Sequence, residues 1–264
     1  MYTGAFKEDI YVRLGLENRK ALITGASRGI GQAIFSQLNS EGCHVVGLSR
    51  SHIEFDEVKP ELKNDFYIVD LMNDKERESC MSFLKEKYGY FDIIVNNVGG
   101  TMDENNPLSD LSVYEKVMKY NFGITVDLNA MFIPSMISKN WGRICNISSI
   151  SALENQGPPA YSAAKAALNA YTRGVGRFLA HKNIVMTSVM PGAVLTKGGY
   201  WDLMRRENPE KLEEYLRNRM AIGRLGTVEE IANLVTFLVS EHSSFMVGSN
   251  ILVDGGQGRV FNHY

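Results

Sequence analysis

Cysteine is scarce and odd in number: Cys43, Cys80 and Cys145 stand among 264 residues, with no C-x-x-C pair. That excludes a disulfide framework and a thiolate zinc site, and it points to a reducing compartment, the cytoplasm. Histidine is equally sparse. His44, His52, His181, His242 and His263 include no i, i+4 pair, so no metal site is expected. Charge of neither sign prevails: Lys+Arg 28 against Asp+Glu 30 leaves a formal net charge of −2, which argues against a nucleic-acid partner. No window offers the 18 or so consecutive apolar residues of a membrane span. The first 15 residues carry Lys7, Glu8, Asp9 and Arg13 and lack the apolar run of a signal peptide. What is present is ordinary globular composition, 44% hydrophobic and 22% charged.

After a polar leader over residues 1–18, short β-rich runs occur at 21–24, 44–48, 66–69, 92–95, 142–147, 184–189 and 250–253. Amphipathic helical patterns lie between them at 29–40, 74–88, 112–138, 160–181 and 228–239. Strands alternating with helices predict an α/β fold: right-handed βαβ crossovers and a parallel sheet covered on both faces. Near-continuous apolar runs such as Ile93-Ile94-Val95 suit strands buried on both sides. No linker rich in Pro, Gly and Ser divides the chain, so one domain over 1–264 is expected. Segment 193–223 departs from the alternation. It follows a strand's carboxyl end, carries a charged helical stretch at 202–220, and is expected to be a mobile lid over the substrate.

The first strand runs into Gly25-Ala26-Ser27-Arg28-Gly29-Ile30-Gly31, and a helix pattern follows. Glycines at 25, 29 and 31 permit a tight turn, close backbone approach to a pyrophosphate and close helix–strand packing. The helix N-terminus then offers free N–H groups to the phosphates. An acidic residue closing the second strand would bind an adenine ribose 2′-OH and repel a 2′-phosphate. Here that strand closes Gly47-Leu48-Ser49-Arg50, with Arg28 in the glycine loop itself. Two guanidiniums favour a 2′-phosphate, so the cofactor expected is NADP(H).

Tyr161-Ser-Ala-Ala-Lys165 opens a helical segment, which places the phenol and the ammonium one turn apart on one face. At about 5 Å and an effective dielectric near 20, the ammonium is worth roughly 3 kcal/mol, or about two pK units in favour of phenolate. Such a tyrosine can exchange a proton with a carbonyl oxygen near neutral pH. Upstream, at a strand end, lies Asn146-Ile147-Ser148-Ser149, whose hydroxyls can bind the substrate carbonyl.

Taken in order, these motifs resemble the short-chain dehydrogenase/reductase family over residues 16–257, and within it are similar to the 3-oxoacyl-carrier-protein reductases and related carbonyl reductases. The matching signals are Thr24-Gly25-x-x-x-Gly29-x-Gly31, Asp70, Asn96-Asn97-Val98-Gly99, Asn121, Ser149, Tyr161-x-x-x-Lys165, Pro191-Gly192 with Thr196, and Val253-Asp254-Gly255-Gly256. The resemblance implies a Rossmann-type three-layer αβα sandwich with a seven-stranded parallel sheet. It implies a catalytic set in which Tyr161 is the general acid of reduction, Lys165 lowers its pKa and holds the nicotinamide ribose, Ser149 orients the carbonyl, and Asn121 holds a water relaying protons to Lys165. For the cofactor it implies the loop Gly25, Ser27, Arg28, Gly29, Ile30 and Gly31, then Ser49 and Arg50, Asp70 and Leu71 at the adenine, and Asn97 and Gly99. Pro191, Gly192, Val194 and Thr196 would hold the carboxamide. Members are usually homotetramers built on the long helices and the last strand.

Three departures stand out. Val98 replaces the usual alanine, Pro158 and Pro159 stiffen the approach to Tyr161, and Ser148 competes with Ser149. Asn97 serves either the cofactor or a tie between strands. The expected function is NADPH-dependent reduction of a small-molecule ketone to a secondary alcohol. The alternatives are a non-catalytic NADP(H)-binding redox sensor and an alcohol dehydrogenase working oxidatively. Residues 101–106, 153–156 and the 193–223 segment with Tyr200, Trp201 and Met204 are the candidate pocket wall, while Lys197, Arg205 and Arg206 either meet an anionic substrate or face water.

Overall fold

Alternation of side chains along the strands divides the core in two. In β1 (Lys20–Thr24), Ala21 and Ile23 enter one apolar cluster and Leu22 the other. The same alternation holds for Ile93 and Val95 against Ile94, and for Cys145 and Ile147 against Ile144. Period-two geometry on strands buried from both sides makes three layers unavoidable. The computed structural model describes residues 13–52 and 64–260. The leader lies outside them as far as residue 12.

Elements follow as α1 (Gly29–Ser40), β2 (His44–Ser49), β3 (Asn64–Ile68), α2 (Asp74–Tyr88), β4 (Ile93–Asn96), α3 (Leu111–Met118), α4 (Ile124–Lys139), β5 (Gly142–Ile147), α5 (Pro159–Leu179) and β6 (Ile184–Pro191). Then come α6 (Tyr200–Glu207), α7 (Pro209–Arg219), α8 (Val228–Leu238) and β7 (Asn250–Val253). The seven strands form one parallel sheet in the order β3-β2-β1-β4-β5-β6-β7, the Rossmann-type sheet expected. Helices α1 and α8 cover one face through Ile34, Leu38, Ile231 and Val235. On the other face Met81, Leu84, Leu128 and Phe132 of α2 and α4 pack with Leu179 of α5. The order reverses between β1 and β4, which opens a crevice at their carboxyl ends.

Local chemistry sets several boundaries. Asn73 caps α2 by accepting the Lys75 and Glu76 N–H groups, and Thr227 and Glu230 close a reciprocal capping box on α8. The third strand begins two residues earlier than expected. The long helix expected over 112–138 is interrupted by a π-turn at Lys119–Gly123, which separates α3 from α4. The lid stretch expected as one helix over 202–220 is two, because Pro209 has no N–H to continue α6 and instead starts α7.

Phe132 is 1% exposed and packs edge-on to Phe91, with ring centroids 5.2 Å apart. Phe132→Ala is therefore expected to cost about 3–5 kcal/mol of unfolding free energy, read by urea titration; an unshifted midpoint would contradict this packing account.

Candidate active site

The crevice is built on two glycines with left-handed backbone, Gly25 (φ +66°) and Gly29 (φ +57°). A Cβ on Gly31 would lie 2.2 Å from the Gly25 carbonyl oxygen, so the turn tolerates no side chain there. The first residue of α1 follows an extended Arg28, and no side chain caps that helix end. Its N–H groups are thus left for an anion, beside a cavity of about 320 Å³ lined by Gly29, Ile30, Gly99, Pro191, Val194 and Thr196.

One clasp holds the crevice's two walls together. Thr24 Oγ1 accepts the Asn97 and Val98 N–H groups at 3.0 and 3.1 Å. Asn97 Nδ2 donates to the Thr24 and Gly25 carbonyls, both at 3.1 Å. The amide hydrogens of Asn97 are therefore committed to tying β1 to β4, while the residue still lines the cavity. A second cavity, about 510 Å³, adjoins Ser27, Ser49, Arg50, Asp70 and Leu71. The Ser49 hydroxyl donates to Ser27 at 2.6 Å, and Asp70 Oδ1 accepts the Met72 N–H at 2.9 Å. Arg28 and Arg50 are exposed, and neither forms an ion pair among the described residues. These features fit a phosphorylated dinucleotide: uncapped helix amides for its pyrophosphate, two unpartnered guanidiniums at its adenosine end, and Gly99 where backbone must be close.

At the inner end of the crevice Tyr161, Lys165 and Ser149 converge. Pro159 opens α5 where its missing N–H costs nothing, which places Tyr161 in the first turn. Lys165 is 2% exposed, donates to the Ile147 carbonyl at 2.8 Å, and sits 5.7 Å from the Tyr161 ring centre. Ser149 lines both this cavity and its neighbour together with Tyr161, and its hydroxyl accepts the Ser151 N–H at 3.1 Å, whereas the Ser148 hydroxyl donates to the Lys165 carbonyl at 3.3 Å. Burial pushes the phenol above its ordinary value, against the opposing influence of the Ser149 hydroxyl. The sequence leads instead to an expectation of a lowered phenol. With the protein's own groups alone, desolvation governs both partners, and it brings the Lys165 ammonium down to about 7.

Asn121 occupies the π-turn. Its Oδ1 accepts the Gly100 N–H at 2.9 Å, and Nδ2 donates to the Gly100 and Val117 carbonyls, each at 2.9 Å. A Cβ on Gly99 would lie 2.7 Å from Asn121 Oδ1 and 2.9 Å from Lys165 Nζ. The two polar atoms thus flank one glycine.

A third cavity, about 570 Å³, meets the first at Ser149, Tyr161, Gly192 and Trp201. Thr101, Asp103 and Asn105 of 101–106, Gln156, Tyr200, Trp201 and Met204 line it as expected, with Lys211 and Tyr215 from the same 193–223 segment and with Gln257, which the sequence did not single out. Lys211 and Tyr215 are one turn apart on α7. Gln257 directly follows the closing Asp254-Gly255-Gly256. Arg205 and Arg206 are neutralised by Asp202, at 2.7 and 3.3 Å.

A family model described as enoyl-(acyl carrier protein) reductase matches residues 25–257. The 3-oxoacyl-(acyl-carrier-protein) reductase of Pseudomonas aeruginosa is 33% identical over 249 residues, covering 92% of this chain and 98% of that protein. A crystal structure of 3-oxoacyl (acyl-carrier-protein) reductase from Agrobacterium tumefaciens C58 with NADP bound aligns with TM-score 0.83 at 29% identity, over 96% of this chain and 100% of that one. L-sorbose reductase from Gluconobacter frateurii, solved with NADPH and L-sorbose, aligns with TM-score 0.85 at 26% identity, over 95% and 100%.

Burial of Lys165 gives a pH signature. An unfolded chain keeps this proton to the ordinary 10.5, whereas the folded site releases it near 7, so the unfolded state binds more protons between those values. Stability contributed by this group therefore rises from pH 7 towards 10.5, and Lys165→Met is expected to lose that rise in denaturant titrations without added cofactor. A wild-type minus variant difference that is flat with pH would contradict it.

Proposed function

The chain belongs to the short-chain dehydrogenase/reductase family, and we propose on that footing that it is an NADPH-dependent carbonyl reductase forming a secondary alcohol from a ketone. The observation that carries the reading is the meeting of Tyr161, Ser149 and Lys165 where two cavities join. Bound NADPH supplies the hydride that reaches the carbonyl carbon.

Tyr161 donates its phenolic proton to the carbonyl oxygen as negative charge grows there. A phenol kept protonated by burial suits an acid in the reducing direction. Ser149, rather than Ser148, orients the carbonyl, because it lines both cavities with Tyr161 while the Ser148 hydroxyl is spent on the Lys165 carbonyl. Lys165, braced on Ile147, stabilises the phenolate left behind and holds the nicotinamide ribose. Asn121 serves the return of the proton: its Oδ1 and the Lys165 ammonium are close enough across Gly99 for one water to bridge. Arg28 and Arg50 hold the 2′-phosphate, Asp70 and Leu71 the adenine edge, Asn97 and Gly99 the ribose side, and the segment from Pro191 to Thr196 the carboxamide.

Residues 193–223 act as the lid. The exposed Phe178 on α5 and Leu252 on β7 support a homotetramer assembled through those elements. Three free thiols support a reducing compartment, the cytoplasm. Among the described residues no helix is long and apolar enough to cross a membrane.

Following NADPH absorbance with a panel of ketones tests the activity. Tyr161→Phe is expected to lower turnover by about 10²–10⁴-fold while NADPH binding, read by fluorescence, persists. Binding without reduction of any carbonyl compound would replace this reading with the redox sensor. For the cofactor, Arg50→Ala is expected to shrink the preference for NADPH over NADH by about tenfold, and equal wild-type affinities for the two would refute the assignment.

A further inference from the structure

Gln156 and Gln257 line the third cavity alongside Ser149 and Tyr161, and the reaction as described uses neither. Gln257 is 3% exposed, while Gln156 is half-buried. A hydrogen-bond relay fixes which way each amide points, and it does so from both ends. The Ala193 backbone N–H can only donate, and it donates to Gln257 Oε1 at 2.7 Å. Gln257 must then present its NH₂ onward, which it does to Gln156 Oε1 at 3.3 Å. Gln156 in turn donates from Nε2 to Glu154 Oε2 at 2.8 Å, a carboxylate that can only accept. The other Glu154 oxygen accepts the Arg259 and Val260 N–H groups at 2.5 and 2.8 Å. Burial works against the Glu154 charge, but the Val260, Gln156 and Arg259 donors outweigh it and hold the carboxyl below its ordinary value. Neither amide can flip without breaking the relay.

An amide nitrogen carries two hydrogens and an amide oxygen two lone pairs. At the junction of the two glutamines the relay uses one of each. Gln257 keeps a second N–H and Gln156 Oε1 a second lone pair, on two bonded residues that both line the cavity. A donor beside an acceptor matches a single group able to do both, which is a hydroxyl. A carboxylate would repel the Gln156 oxygen, and a methylene would leave the second N–H and the second lone pair without a partner. The same cavity has an aromatic wall: Trp201 meets Tyr200 edge-on at 4.9 Å and Tyr215 at a tilt at 4.4 Å, centroid to centroid. Such a surface covers the C–H face of a polyhydroxylated chain.

We propose that the Gln156–Gln257 pair reads a hydroxyl of the substrate, so that the ketone reduced is a polyhydroxy ketone. This rests on the carbonyl-reductase reading and names its substrate class. The test compares ketones matched in carbon skeleton: 1,3-dihydroxyacetone against acetone, and erythrulose against 2-butanone, with acetoacetyl-CoA as a thioester control. In the wild type the hydroxylated member of each pair is expected to have the higher kcat/KM, by about tenfold or more. The decisive quantity is how that ratio changes, because the intrinsic reactivity of each ketone cancels between variants. Gln156→Leu is expected to reduce the ratio about tenfold. Gln257→Glu, which keeps the oxygen facing the Ala193 N–H but removes the donor, is expected to do the same and serves where Gln156→Leu fails to fold. A merely structural role would lower both members alike, so an unmoved ratio overturns the proposal. Turnover of acetoacetyl-CoA with no advantage for the hydroxylated ketones also overturns it while leaving the reductase standing. Reduction of no carbonyl compound removes the parent reading and this one together.

Discussion

An ammonium buried without a carboxylate partner is the constraint around which this site is organised. Lys165 spends one hydrogen bond on the Ile147 carbonyl and finds no anion among the described residues to repay its desolvation. Such a cation is costly in isolation, which is why it yields its proton near neutrality. The same deficit makes it receptive to a phenolate one helical turn away. Everything that fixes Lys165 therefore also fixes the chemistry: β5 supplies the carbonyl, α5 supplies the spacing, and the Gly99 backbone comes close because no Cβ intervenes.

Beneath the reacting groups the protein uses polar side chains where an apolar core would be simpler. Asn96 donates to Asn129 and Asn146, Asn146 donates to Thr172, and Asn129 reaches Tyr171. This chain crosses from β4 through β5 to α4 and α5: Asn97 and Ser149 follow the two strands, Asn121 precedes α4 and Tyr161 lies in α5. Directional bonds of this kind permit one register where oily contacts permit several. Buried amides thus serve geometry more than stability, and they do so directly under the site.

The parts legible in the sequence were those with local causes. Glycines 25, 29 and 31 are required by a turn a few residues long, and the spacing of Tyr161 and Lys165 is a property of one helix. Strand alternation gave the three layers because it reflects burial on both faces. What escaped had causes distant in sequence. The π-turn at Asn121 is invisible to periodicity, since the helical pattern resumes with one extra residue absorbed. Pro209 was readable as a break, but the charged pattern around it ran on. The sign of the pKa shift at Tyr161 was missed because spacing reports a neighbouring charge and says nothing about the burial that outweighs it.

Gln257 shows how far apart such causes can lie. Its role depends on Ala193 two residues past β6, on Gln156 before α5, and on a carboxylate held by backbone at 259 and 260. The Arg259 guanidinium also donates to the Asn218 carbonyl of α7, at 2.5 Å. One segment near the end of the chain thus braces the lid helix bearing Lys211 and Tyr215 and orients the amides on the cavity wall. Because Glu154 anchors both functions, the lid's position and the donor–acceptor pattern beneath it are not independent variables. A change in one carboxylate must alter what the cavity accepts and how its cover is held.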